Sequence, residues 1–128
     1  MNIPQELKYA KSHEWAKKEG TKVRVGITDH AQHEITDVVH VELPAVGKQV
    51  EREKPCAVVE SVKSAFDIYA PVSGTIVEVN EKLPVSPELV NQSPYEQGFF
   101  FVIEASNPEE LNTLLSAQDY EKLIKESH

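Results

Sequence analysis

Apolar side chains recur at every second position in short bursts, most of them bounded by Pro, Gly or Ser. A period of two belongs to a strand with one buried face, so this pattern confines the chain to a largely β fold. The cleanest burst spans 22–27, with Val23, Val25 and Ile27 on one face. A weaker one spans 12–18, with His13, Trp15 and Lys17 on one parity. Segments 37–43, 55–62, 65–69, 75–79 and 99–103 continue the series, with stops or turns at Pro44, Gly47, Pro71 and Ser73-Gly74. Thr28 is placed to cap a short helical turn over 29–34. The polar, Pro-containing stretch 84–98 reads as a surface loop. Beyond it the period changes. Asn107 can cap a helix that has Pro108 at its first position and places Leu111, Leu114 and Leu115 on one face. Ser116 and Asp119 then begin a second turn or helix carrying Tyr120, Leu123 and Ile124. The pattern predicts one mainly β domain over 1–128, a sandwich or flattened barrel. Its core spans about 7–105, and a helical tail of about 107–126 packs on it.

Charge narrows the partners. Against 21 Asp and Glu stand 13 Lys and Arg, a net charge of −8. That field repels phosphate backbones, so no nucleic acid is expected, and protein partners should offer basic patches. No apolar run reaches membrane-spanning length, and no secretory signal opens the chain, so no membrane partner and a cytoplasmic location are expected. A eukaryotic source with a removed transit peptide would place it in the mitochondrial matrix instead. The single Cys56 forms no internal disulfide, which fits a reducing compartment.

One lysine stands out. In Val58-Val59-Glu60-Ser61-Val62-Lys63-Ser64-Ala65-Phe66-Asp67-Ile68, two apolar strand segments flank a short polar break. Such a break is a hairpin tip, and a lysine there presents a free ammonium on a flexible stem, open to acylation. A group tethered at a tip stays clear of the body and is concentrated at any docked enzyme. From composition alone, the ordinary reading of Lys63 is a solvated turn lysine. A weak internal echo brackets it: Gly47-Lys48-Gln49-Val50 and Gly74-Thr75-Ile76-Val77 share Gly-x-x-Val.

The sequence resembles the glycine cleavage system H-protein family. The resemblance is carried by Ser12-His13-Glu14-Trp15, Val25-Gly26-Ile27-Thr28-Asp29-His30-Ala31-Gln32, Val41-Glu42-Leu43-Pro44, Val59-Glu60-Ser61-Val62-Lys63 and Tyr69-Ala70-Pro71-Val72-Ser73-Gly74. Val77-Glu78-Val79-Asn80, Pro87-Glu88-Leu89-Val90-Asn91 and Ser93-Pro94-Tyr95 follow in the family's order. It runs from about Leu7 into the C-terminal helix, and several ordered motifs are far more specific than one. The resemblance implies a barrel-sandwich hybrid, like that of lipoyl domains, and (R)-lipoate attached to Lys63, absent from a recombinant apo form. Glu60, Ser61, Val62 and Ser64 would be the tip residues read by a lipoate ligase or lipoyl transferase. Biotin carriers set their lysine between methionines; Val62 and Ser64 favour lipoate.

The resemblance also implies a non-catalytic carrier. Glycine decarboxylase (P protein) would load an aminomethyl group on lipoyl-Lys63, and aminomethyltransferase (T protein) would unload it. Dihydrolipoyl dehydrogenase (L protein) would reoxidise the dithiol, each enzyme meeting a monomeric carrier in turn. The cofactor supplies the sulfur chemistry and the protein the presentation. A surface cleft shelters the arm in such carriers. Its matching residues here are Ser12, Glu14, Glu34 and Asp67, with His30 and His33 nearby, and Glu14 is expected to contact the cationic amine. The alternative reading of Glu14 is a solvated strand residue.

Some positions depart from the family's pattern. Cys56-Ala57 stands where Phe-Gly is common, His40 replaces an aromatic residue, Ile35-Thr36 replaces Leu-Gly, and Phe66 replaces Ser. These leave open an alternative, an H-like carrier for another pathway such as lipoate relay or sulfur oxidation. His30, His33, Asp37 and His40 lack zinc-site spacing and read as polar surface or groove lining, so no metal is expected. Cys56 reads as a buried small hydrophobe. No phosphate-cradling glycine loop or nucleophile elbow is present, so no catalytic residue is expected.

Overall fold

The structure, a computed structural model, describes residues 2–126. Among these residues nine strands form two antiparallel sheets. The larger contains β1 (Lys8–Tyr9), β2 (Glu14–Glu19), β3 (Lys22–Ile27), β5 (Gln49–Val50), β8 (Gly74–Val79) and β9 (Phe101–Ala105), in the order β1-β2-β3-β9-β8-β5. The smaller contains β4 (Val38–Glu42), β6 (Pro55–Ser61) and β7 (Ala65–Tyr69), in the order β4-β6-β7. Alternation explains the layering. Val23, Val25 and Ile27 on β3, Val41 on β4, Val59 on β6 and Ile76 on β8 are all buried in one cluster between the sheets.

Helix α1 (Asp29–Ile35) joins the two sheets. Thr28 caps it as the sequence predicts, its hydroxyl accepting the Ala31 N–H at 3.1 Å. Gly47 turns the chain with a φ of 95°, a left-handed backbone that glycine adopts without strain. Gly26 has a different role. It pairs with Trp15 across β2 and β3, and a Cβ there would sit 2.7 Å from the indole. The bare backbone lets the ring lie flat on β3, where its Nε1 donates to the Pro94 carbonyl at 2.9 Å.

A second apolar cluster lies outside the sandwich and holds Leu7, Tyr9, Trp15, Ala117, Tyr120 and Ile124. It forms where α3 (Ala117–Glu126) packs on β1 and β2. Both faces of the first half of β2 are therefore buried, and the parity expected over 12–18 is blurred there. Three further expectations are corrected. Residues 84–98 include a short helix, α2 (Leu89–Gln92), which buries Val90 in the main core. Residues Pro108–Thr113 form a 3-10 helix. Leu111, Leu114 and Leu115 do not share a face: Leu111 and Leu114 pack on the main core and Leu115 on the second, because Leu115 pairs with Tyr9 as an isolated bridge.

Candidate functional site

Strands β6 and β7 pair up to Glu60 and Ala65, leaving Ser61, Val62, Lys63 and Ser64 as a tight turn. Ser61 holds it. Its N–H donates to the Ser64 carbonyl at 2.8 Å, and its hydroxyl accepts from the N–H groups of Lys63 and Ser64 at 3.1 and 3.3 Å. The Val62 N–H donates to Asp37 across the sheet at 3.1 Å. These bonds fix the backbone and leave the side chains outside: Val62 is 67% exposed, and Lys63 and Ser64 are also exposed. Among the described residues the Lys63 ammonium has no hydrogen-bond or ion-pair partner. Of the four predicted tip residues, Ser61 is buried and shapes the turn; Glu60, Val62 and Ser64 are open to a visitor.

A cleft of about 350 Å³ opens between β7 and α1. Its walls combine Ile27, Ile35, Val59 and Ile68 with Ser12, His13, His30, Glu34 and Asp67, and Phe66 stands among them. Because Phe66 and Asp67 follow the Lys63 turn directly on β7, tip and cleft share one strand. Four predicted residues, Ser12, His30, Glu34 and Asp67, therefore come together. His33 does not: it lies three positions from His30, roughly 60° short of a full turn of the helix, and is exposed where His30 is buried. His30 instead has Glu34 one turn on, its Nε2 3.8 Å from the carboxylate.

Glu14 lies behind the cleft wall. It is 1% exposed, so the reading as a solvated strand residue does not hold. The Ser12 hydroxyl and the Tyr69 N–H, the latter at 3.1 Å, donate to its carboxylate. Burial pushes its pKa up to about 7 despite these donors. Any contact with a group in the cleft runs through Ser12, whose hydroxyl points its hydrogen at Glu14 and keeps its lone pairs for a donor.

Two residues of this region escape sequence reasoning. His13 holds a φ of 76° and places Nδ1 2.7 Å from the Tyr120 hydroxyl. That hydroxyl lies 2.8 Å from the Thr28 Oγ1, which caps α1. Burial and the neighbouring His30 ring, 4.9 Å away, lower the His13 pKa against the pull of Glu34. His40 lies elsewhere, on the outward face of β4 near Glu42 and Glu60. Cys56 is buried, and burial pushes its thiol up to about 12, which keeps it inert.

The cleft's chemistry suits an amphipathic guest: aliphatic walls for an apolar ring, and carboxylates with a serine oxygen for a cation. A free ammonium at an adjoining tip suits covalent attachment of that guest. Residues 7–127 match the family described as Glycine cleavage H-protein. The chain is 63% identical over 124 residues to the glycine cleavage system H protein of Endomicrobium trichonymphae, covering 97% of this chain and 100% of the relative. The H protein of Halalkalibacterium halodurans is 54% identical over 98% of both. The crystal structure of a glycine cleavage system H protein from Mycobacterium marinum superimposes with a TM-score of 0.87 at 36% identity, covering 94% of this chain and 97% of that one.

Proposed function

Since the chain belongs to the glycine cleavage H-protein family, the non-catalytic lipoyl carriers of the glycine cleavage system, we propose that Lys63 is the lipoylated residue and that the adjoining cleft receives its arm. The observation that supports this most directly is the turn itself, where Ser61 fixes the backbone and Lys63 extends unpaired into solvent. When attached, lipoate would supply a disulfide that is reduced as it takes up an aminomethyl group and that remains on the arm as a dithiol, ready for reoxidation, once that group is handed on.

The chain's own residues present and shelter. The Ser61 hydroxyl holds the Lys63 backbone, so the tether leaves the body from a fixed point, and the β7 edge leads back to the cleft. Ile27, Ile35, Val59 and Ile68 exclude water from an apolar ring, while Glu34 and Asp67 set a negative field for a cationic amine. Ser12, held by Glu14, offers that amine an oxygen acceptor. The partners in this reading are the decarboxylase, the aminomethyltransferase, the dihydrolipoyl dehydrogenase and a lipoate-attaching enzyme. Their successive visits suit brief encounters over a small area around Glu60, Val62 and Ser64.

The test is intact mass after treatment with a lipoate ligase, followed by glycine–bicarbonate exchange with the decarboxylase. One lipoyl group should add to the native chain and none to Lys63→Arg, with exchange supported only by the modified chain. A lipoyl group on Lys63→Arg, or full exchange without one, would overturn the reading.

A further inference from the structure

We propose that His40, Glu42 and Glu60 form a binding site for a divalent transition-metal cation of the zinc or nickel class, on the outer face of the smaller sheet beside the Lys63 turn. Three features of the fold build it. Strand β4 breaks register between Val38 and His40, and the extra residue, Val39, is left exposed. That bulge puts His40 directly opposite Glu60 on β6. Normal alternation then carries Glu42, two residues on, to the same outward face. One ligand atom from each residue lies within 4.8 Å of the other two.

Within the chain the three groups have no competing polar contact. Among the described residues none of their side chains takes part in a hydrogen bond or an ion pair. Two carboxylates held this close repel one another, and a dication converts that repulsion into attraction. His40 and Glu42 are exposed and Glu60 half-buried, so a solvated ion can reach them. Metal–nitrogen and metal–oxygen bonds of about 2.0–2.2 Å need ligand atoms closer than those seen here. Small rotations of exposed side chains supply that closure.

The donor set chooses the ion. One imidazole nitrogen with two carboxylate oxygens suits a borderline cation, whereas calcium and magnesium prefer oxygen alone. Three protein ligands leave coordination positions for water or for a group on a visiting protein. Glu60 also opens the Glu60-Ser61-Val62-Lys63 segment, so an occupied site would cancel negative charge on one side of the turn.

The test is calorimetric titration of zinc chloride, and separately nickel chloride, into the full chain, with histidine and amide NMR shifts followed in parallel. Chain without lipoate and chain with its arm held oxidised are both used, so that no free arm dithiol competes. One equivalent should bind, with shifts centred on His40 and the backbone of Glu42 and Glu60. His40→Phe should weaken binding roughly a hundredfold, since even residues that only orient a ligand are worth about ten- to a hundredfold. Glu42→Gln should also weaken it, with circular dichroism of both variants unchanged. Failure to saturate, or binding that survives His40→Phe, overturns the proposal. Neither result bears on Lys63.

Discussion

The Tyr120 hydroxyl, on α3, sits 2.7 Å from the His13 Nδ1 and ties that helix to the wall of the cleft. The same oxygen lies 2.8 Å from the Thr28 Oγ1. One phenol thus connects α3, the residue before β2 and the cap of α1. Burial raises its pKa well beyond the ordinary tyrosine range, so it remains a neutral hydroxyl wherever the protein is folded.

Removing that oxygen while keeping the ring isolates its contribution. Tyr120→Phe preserves the stack on Tyr9, whose ring centroid is 4.7 Å away, and leaves His13 and Thr28 each short of a partner. The expected loss is about 1–3 kcal/mol, the cost of stranding buried polar groups. A urea midpoint that falls with an unchanged m-value would show it. An unmoved midpoint would mean that water replaces the hydroxyl and that no latch exists.

Glu14 should give the fold a dependence on pH. Its pKa is about 7 in the folded protein against an ordinary 4.5, with burial as the main cause. Between those values the folded state holds the proton more tightly than the unfolded chain, so stability falls as pH rises. The contribution is fully present below about pH 4.5 and is gone above about pH 7, a span on the order of 3 kcal/mol. Glu14→Gln, which imitates the protonated acid, should remove this slope and match or exceed the native chain at pH 8. Parallel pH profiles for the two proteins would show that the carboxylate ionises freely.

Gly26 predicts a packing defect with an optical signature. Gly26→Ala sets a methyl group 2.7 Å from the indole of Trp15, the single tryptophan of the chain. The ring must move and its Nε1 bond to Pro94 must stretch, at a cost of about 1–3 kcal/mol for overpacking. A lowered melting temperature with red-shifted tryptophan emission is the expected result. Unchanged emission would mean that β3 yields instead of the ring.

Local pattern carried most of the sheet. β3 and β7 match the expected bounds because clean alternation specifies register, and the Thr28 cap follows from one side chain and one N–H. β1 and β5 escaped because strands of two residues have no period. Pairing of Tyr9 with Trp15 and of Val50 with Gly74 creates them. In the site, the exposed turn at Lys63 was legible from the strand–break–strand pattern, while its reading as an attachment point, like the cleft residues, came from the family resemblance. The His13–Tyr120 contact was not legible, since its partners lie 107 positions apart. Nor was the burial of Glu14, which depends on the Tyr69 N–H of the opposite sheet.

Phe66 offers the sharpest test of shelter. It stands opposite Val59 in register and lines the cleft three residues after Lys63, at 37% exposure. A half-exposed aromatic ring there can cover an apolar ring and contact its sulfur atoms, interactions worth about 1 kcal/mol or more. The ring is not part of the turn that a lipoate-attaching enzyme must reach. Phe66→Ser should therefore accept lipoate as the native chain does, yet lose the aminomethyl group to water about tenfold faster once loaded. Ammonia or formaldehyde release from loaded carrier, measured without the aminomethyltransferase, reads that rate directly. Equal rates would place the arm outside the cleft, because a guest bedded against Val59 and Ile68 could not be indifferent to the side chain that closes over them.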